Sequence, residues 1–215
     1  MIFEYWHEWI TLVLVFGLGA ISPGPDFVMS LKNSLHSRKA GLFTALGFGA
    51  GVLVHVTYTI LGIAALIAHS VIAFNMIKVI GAAYLIYIGV KALRSHTMIQ
   101  DSYKESNLQA AKSLTGRQAF SQGFYTNLLN PKASLFFLAI FSQIIGPEMP
   151  VFTQFLFGLT CVAIVTAWFS AVTLFLTIPA IRNQFFRLSQ WIEKLCGAIL
   201  IVLGIRLAFS KGATP

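Results

Sequence analysis

The chain has 215 residues, of which 57% are hydrophobic and only 10% charged, against about 25% charged in soluble globular proteins. Residues 41–77 and 149–181 contain no Asp, Glu, Lys or Arg, and each stretch exceeds the about 20 apolar residues that cross a bilayer as a helix. This pattern excludes a soluble fold, and the lack of polar–apolar alternation excludes an outer-membrane barrel. The net charge of +8 does not indicate nucleic acid, because the basic residues lie between the apolar runs.

In chain order, the apolar runs predict an all-α integral membrane protein with six transmembrane helices. The predicted spans are about 9–31, 41–68, 71–93, 119–145, 151–181 and 188–209. No Lys or Arg precedes the first run, so we interpret it as a span and not as a cleaved signal peptide. A long polar stretch, about 94–118, divides a single transporter domain, 1–215, into half-repeats of three spans at about 8–95 and 117–210.

Proline-containing motifs interrupt the first and the fourth predicted spans. Pro23, Gly24 and Pro25 precede Asp26 in the first span, and Asn130, Pro131 and Lys132 follow one another in the fourth. Proline removes a backbone donor and clashes with the preceding turn, so both helices should break at these positions. Within a membrane a break is tolerated only where it is packed in protein or lines a wet cavity.

The two halves resemble each other in sequence. Residues 78–91 of the third span align with 193–206 of the sixth, which pairs Gly89 with Gly204 and Lys91 with Arg206. A repeat of three spans enters the membrane from the opposite side in its second copy. The expected architecture is therefore the inverted-topology repeat of secondary transporters, with broken helices 1 and 4 meeting near the midplane.

The basic residues predict the orientation of the chain. Ten lie in the three loops assigned to one side: Lys32, Arg38, Lys39, Lys91, Arg94, Lys104, Lys112, Arg117, Arg182 and Arg187. Three lie on the other side: Lys78, Arg206 and Lys211. Because cytoplasmic loops are rich in Lys and Arg, the linker at 94–118 should be cytoplasmic and both termini should be periplasmic.

Charged residues inside a membrane are costly, so they point to function. Asp26 could accept the ammonium of an amino-acid zwitterion, while Lys132 and the N–H groups of a half-helix could bind its carboxylate. Asn130, Asn127 and Thr126 add polar atoms beside the second break. Asp26 could also take up a proton in one half of a transport cycle, which would couple export to proton entry.

For two residues, an interpretation without a role in transport remains open at this point. Asp26 could simply cap the second half-helix, with Lys132 pairing to it for stability alone. His55 lies in the middle of the second span, where it is either a proton relay or a hydrogen-bonded packing residue.

Three segments resemble a known family: Ser22-Pro-Gly-Pro-Asp-Phe27, Gly41-Leu-Phe-Thr-Ala-Leu-Gly47 and Thr126-Asn-Leu-Leu-Asn-Pro-Lys-Ala133. They are similar to the lysine-exporter and homoserine–threonine efflux (LysE/RhtB) family, over about residues 8–210. The resemblance implies a six-span exporter of amino acids in a bacterial inner membrane, driven by the proton gradient, and Pro-Gly-Pro-Asp resembles its threonine/homoserine branch. The family's functional positions would correspond to Asp26 and the turn at 130–132. Gln143 and the polar residues of the fifth span are candidates for substrate choice.

The alternatives are an exporter of another small solute, such as a basic amino acid or a metal cation, and an intramembrane enzyme. No spacing suggests a catalytic nucleophile with its base, and we expect no metal site and no cofactor. The expected partners are the amino acid, a coupling proton and the lipid bilayer. Gly47, Gly49 and Gly51 of the second span could in addition support a homodimer.

Overall fold

The structure, a computed structural model, describes residues 2–22, 24–94, 114–146 and 148–209. In these ranges the chain forms a short 3₁₀ turn, Ile2–Tyr5, and eight α-helices. The helices are α1 Trp6–Ile21, α2 Pro25–His36, α3 Arg38–His69, α4 Val71–Arg94, α5 Gly116–Leu128, α6 Pro131–Ile144, α7 Val151–Leu176 and α8 Pro179–Ala208. The protein is therefore all-helical, as predicted.

Four helices, α3, α4, α7 and α8, contain an apolar segment long enough to cross a membrane. The pair α1 and α2 meets the same criteria when taken together, although its axis bends by 61° at the break. This pair is either a fifth, broken span or a re-entrant loop. The chain is a multi-pass membrane protein with four or five candidate spans. The fourth predicted span is not among them, because it consists of the 14-residue α6 preceded by the more polar α5.

The predicted end of the fifth span was wrong, whereas the predicted start of the sixth at residue 188 agrees with the candidate span Leu188–Arg206. The prediction continued the fifth span to residue 181, because no charged side chain interrupts the apolar run. In the structure α7 ends at Leu176, and Pro179 begins α8. Proline is compatible with the first turn of a helix but not with a helix interior, so the change of direction comes before the basic residues that were taken to mark the loop.

Both interruptions lie between helices of the predicted broken spans. Helix α1 ends at Ile21, and the N–H of the next residue, Ser22, donates to the Leu18 carbonyl. Helix α2 begins after Gly24, whose backbone is extended. The second pair, α5 and α6, is separated by Leu129 and Asn130, and the Asn130 side chain accepts from the Lys132 N–H to cap α6. Pro23, which was also assigned to the first break, lies outside the described residues.

Helix α3 runs beside both parts of the second broken pair. A Cβ on Gly123 of α5 would overlap the Thr44 carbonyl of α3. Two turns further along α3, a Cβ on Gly51 would lie 2.6 Å from the side-chain oxygen of Asn127 on α5. Beyond the break, the ring centroids of His55 and Phe137 are 5.5 Å apart. Residue numbers increase in the same direction on both sides of these contacts, so α3 is parallel to α5 and α6. Glycine has no side chain, so the backbones can approach closely at these positions.

Helices α4 and α8 pack antiparallel in a reciprocal contact. A Cβ on Gly89 would lie 2.6 Å from the Gly197 carbonyl oxygen, and one on Gly204 would lie 2.9 Å from the Ala82 carbonyl oxygen. In the predicted alignment of the two halves, Gly204 is the counterpart of Gly89, and Gly197 is the counterpart of Ala82. A contact in which i meets the counterpart of j, and j the counterpart of i, is the form that a two-fold axis produces. The other helices pack less symmetrically, since α5 lies along α3 while α1 makes a smaller contact with α7.

The glycines that suggested a homodimer are used inside the protomer. Gly47 packs against the α5 backbone at Phe120, Gly49 against Thr166 of α7, and Gly51 against Asn127. A partner copy could not use the same close approach, so this basis for a homodimer was wrong. The homodimer itself stays a prediction.

Candidate functional site

The two interruptions meet and together line one small cavity. It offers about 60 Å³ to the centre of a water-sized sphere, which is room for a few water molecules. Every polar side chain that lines it belongs to one of the two interrupted regions: Ser22, Asp26, Asn127, Asn130 and Lys132. Residues about 100 positions apart in the chain therefore converge on a single space.

Asp26 lies in the first turn of α2, and its carboxylate reaches across to the second interruption. Oδ2 accepts a hydrogen bond of 2.7 Å from the Asn127 side-chain amide, and Oδ1 accepts one of 3.1 Å from that of Asn130. The residue at the N-cap of α2 is Gly24, and no side chain caps this helix. The interpretation of Asp26 as a simple helix cap was therefore wrong, because its oxygens bind the other half of the chain.

Asn130 has two roles at the second interruption. Its side-chain oxygen accepts from the Lys132 N–H at 3.0 Å and so satisfies one of the unpaired donors at the start of α6. Its amide N–H donates to Asp26 at the same time. A single side chain thus orients both the second half-helix and the carboxylate.

Lys132 connects the start of α6 to the end of α1. Its Nζ donates to the Ser22 carbonyl at 3.1 Å and to the Ser22 hydroxyl at 2.9 Å. A cation is favourable here, because the last carbonyls of a helix lack partners and carry partial negative charge. The ammonium also attracts the Asp26 carboxylate on the same cavity wall. The sequence prediction did not assign Ser22 a role, although its position directly before the proline motif could have suggested one.

The rest of the cavity wall is hydrocarbon. Its larger side chains come from five helices: Phe16, Phe27, Val52, Phe136, Phe137, Val165 and Phe169. A space with two opposite charges at one end and hydrocarbon elsewhere suits a small zwitterion with an uncharged side chain. Gln143 does not line it, and its amide instead donates to the Lys78 carbonyl at 2.7 Å. The fifth predicted span contributes apolar residues and not the polar ones that were expected.

His55 and Thr126 lie outside this wall. His55 is fully buried on α3, with Nε2 3.0 Å from the Asn127 carbonyl oxygen and Nδ1 2.6 Å from the Tyr58 hydroxyl. A carbonyl only accepts, so Nε2 carries the hydrogen, and in the neutral ring Nδ1 accepts from Tyr58. The histidine therefore binds one of the last carbonyls of α5, directly behind the asparagine that binds Asp26. Thr126 is half-buried on α5.

Residues 18–211 match the family described as LysE type translocator. The chain belongs to the LysE type translocator family. The resemblance predicted from its three motifs is confirmed. Because members of this family transport solutes, the protein is a transporter and not an enzyme, which excludes the alternative of an intramembrane enzyme.

Several relatives of this LysE type translocator have names that state a cargo. It is 32% identical over 204 residues to the threonine efflux protein of Salmonella typhi, an alignment that covers 94% of this chain and 97% of the relative. Identity to the threonine efflux protein of Escherichia coli (strain K12) is 31% over 205 residues, covering 94% and 98%. Identity to the homoserine/homoserine lactone efflux protein of Salmonella typhimurium (strain LT2) is 27% over 224 residues, covering 99% and 100%. No solved structure matches the chain significantly.

The position of His55 leads to a prediction for this LysE type translocator. Glutamine places an amide N–H at about the same reach as Nε2, so His55→Gln should keep the bond to the Asn127 carbonyl and retain most of the transport activity. His55→Leu removes that donor from a buried carbonyl, which costs roughly 1–3 kcal/mol, and should slow transport about 10-fold or more. The measurement is the initial rate of transport at several pH values. A proton relay would instead give a His55→Gln variant with an altered pH profile.

Proposed function

We propose that this translocator is a secondary transporter that exports a small neutral amino acid from the cytoplasm across the inner membrane by proton antiport. By relationship, threonine and homoserine are the first candidates. The observation that carries the proposal is the cavity between the two interruptions, where Asp26 and Lys132 place opposite charges on the wall of one small space. An amino-acid zwitterion brings the complementary pair of charges.

In the proposed bound state, the cargo ammonium binds the Asp26 carboxylate, and the cargo carboxylate binds Lys132. The start of α2 lies beside them, with no side chain capping its N–H groups. A helix N-terminus favours an anion, so these donors would also bind the cargo carboxylate. Asn127, Asn130 and Lys132 already orient the participating groups, so little reorganisation would accompany binding. Thr126 would contribute through the shape of α5, since it does not line the cavity.

Antiport would follow from competition at one carboxylate. A protonated Asp26 has no charge to offer an ammonium, so a proton and the cargo would occupy it in turn. The transporter would release the amino acid on the periplasmic side when Asp26 takes up a proton, and would release the proton in the cytoplasm when the next cargo binds. In this scheme His55 orients Asn127 and carries no proton.

For the architecture we propose six spans in two inverted units, about 8–95 and 117–210, within one domain of residues 1–215. Support comes from the reciprocal contact of Gly89 and Gly204 and from the parallel course of α3 beside α5 and α6. The antiparallel packing of α4 and α8 agrees with it. The excess of basic residues at 94–118 and in the other loops on that side would make this side cytoplasmic and both termini periplasmic.

Other cargoes fit this site less well. A lysine or arginine cargo would place a second cation against hydrocarbon, where no described acidic side chain other than Asp26 lines the cavity wall. A divalent metal ion would need several clustered ligands, and the described part of the chain contains no group of three or more His, Cys, Asp or Glu that could hold one.

Inverted membrane vesicles with an acidic interior provide the test. Export becomes uptake in this arrangement, so labelled neutral amino acids, including threonine, homoserine and alanine, should accumulate in vesicles that contain the protein, while lysine and cadmium should not. A protonophore should abolish accumulation but leave exchange of labelled for unlabelled cargo. The proposal fails if no neutral amino acid accumulates above the level in vesicles that contain the Asp26→Asn variant.

A further inference from the structure

The residues that line the cavity predict which cargo side chains it accepts. If Asp26 and Lys132 bind the ammonium and carboxylate, as proposed above, the side chain points away from the two interruptions. The wall available to it consists of hydrocarbon groups, chiefly those of Phe16, Val52, Phe136, Phe137, Val165 and Phe169. Within the described residues, no hydroxyl, amide or charged side chain lines the cavity apart from those at the interruptions.

Most of the polar groups at the interruptions are already hydrogen-bonded to one another. Both ends of the Asn130 amide are bonded, to the Lys132 N–H and to Asp26. The Asn127 amide N–H donates to Asp26, and the Ser22 hydroxyl accepts from Lys132. The Asn127 side-chain oxygen has no hydrogen-bond partner, but it is buried against Gly51 of α3. The charges of the bound amino acid would occupy much of the remaining capacity. A hydroxyl on the cargo side chain would therefore meet hydrocarbon without a partner of its own.

We infer that this transporter selects, among neutral amino acids, those with a short aliphatic side chain over those of the same shape that carry a hydroxyl. The inference rests on the proposed function and names the class of side chain that the same site takes. It departs from the cargo in the names of the threonine efflux relatives. At about 30% identity, different wall residues could change this preference without changing the interruptions that bind the charges.

Valine and threonine separate the hydroxyl from size, because threonine replaces one methyl of valine by a hydroxyl. A hydrophobic site discriminates against such an isostere by up to about 100-fold, since the hydroxyl loses its bonds to water and gains none. We expect the transport efficiency, kcat/KM, to be about 10- to 100-fold higher for valine than for threonine. 2-Aminobutyrate and serine form a smaller pair with the same difference, and the same preference should hold there.

Two valines on the wall allow the preference to be reversed. Val52 on α3 and Val165 on α7 are both buried. A threonine in either position can donate its hydroxyl hydrogen to a carbonyl of its own helix and still accept a hydrogen bond from the cargo. Val52→Thr and Val165→Thr should therefore reduce the valine-to-threonine ratio several-fold. The matched control is Val202→Thr on α8, where the side chain is 65% exposed on the outer surface.

The experiment measures initial rates for all four amino acids in inverted vesicles that contain the wild-type protein or one of the three variants. A wild-type ratio near or below one in a transported pair overturns the inference and leaves the proposed function standing. A large wild-type ratio that neither Val52→Thr nor Val165→Thr reduces relative to Val202→Thr also overturns it, because the selectivity then lies elsewhere. If no neutral amino acid is transported above the Asp26→Asn background, the proposed function fails and the inference fails with it.

Discussion

Replacing Asp26 by asparagine should lower export of the amino acid about 100-fold or more while leaving a folded protein in the membrane. The carboxylate accepts from both Asn127 and Asn130. An amide has only one acceptor oxygen, so in the variant one of these two bonds would set donor against donor. The variant would also lack the charge that binds the cargo ammonium, and loss of one partner of a buried hydrogen-bonded charge pair costs roughly 2–5 kcal/mol. About 3 kcal/mol corresponds to more than 100-fold.

Two assays on the Asp26→Asn variant distinguish binding of the cargo from transport of the proton. If Asp26 binds the ammonium, both gradient-driven uptake and exchange of labelled for unlabelled cargo should be lost. If it carried only the proton, exchange would persist without a gradient. Glu148→Gln is the matched control, because Glu148 is exposed and only its backbone carbonyl makes a described hydrogen bond. Uptake by Asp26→Asn at more than a tenth of the wild-type rate would contradict the assigned role.

Replacing Lys132 by methionine should have an effect of similar size, with an additional loss of stability. Methionine has nearly the length of lysine but no N–H groups, so the Ser22 carbonyl and hydroxyl would both lose a donor. The end of α1 would no longer be joined to the start of α6. The cargo carboxylate would lose its cation. We expect transport to fall about 100-fold or more and the midpoint of thermal unfolding in detergent to decrease.

Ser22→Ala separates these two effects of Lys132. It removes the hydroxyl contact but keeps the ammonium and its bond to the Ser22 carbonyl, so transport should fall only several-fold. Lys39→Met controls for loss of a positive charge, because Lys39 is exposed at the start of α3. The decisive measurement is the shift of the unfolding midpoint by added amino acid. A folded Lys132→Met protein that the cargo still stabilises as strongly as the wild type would refute the role in binding.

Much of the fold could be predicted from the sequence, because hydrocarbon thickness and proline chemistry act locally. The uncharged run at 41–77 corresponds to α3 and the first part of α4, and prolines 25 and 131 each begin a helix. Prediction was wrong where a turn lies inside an apolar run, as at Pro179, because hydropathy does not register a change of direction. The basis for the homodimer was also wrong, because the sequence does not show which helix packs into the space beside a glycine.

By itself, the sequence determined that this chain belongs in a membrane, that it is helical, and which charged residues lie beside helix interruptions. These properties depend on the composition of segments and on the chemistry of single residues. Only the tertiary structure decided that Asp26 binds Asn127 and Asn130, that Lys132 binds Ser22, and that His55 binds the Asn127 carbonyl. It also decided that Val165 and Phe169 of α7 complete the cavity wall. The hydrogen bonds join residues from 72 to 110 positions apart, and such pairs become neighbours only when the helices pack.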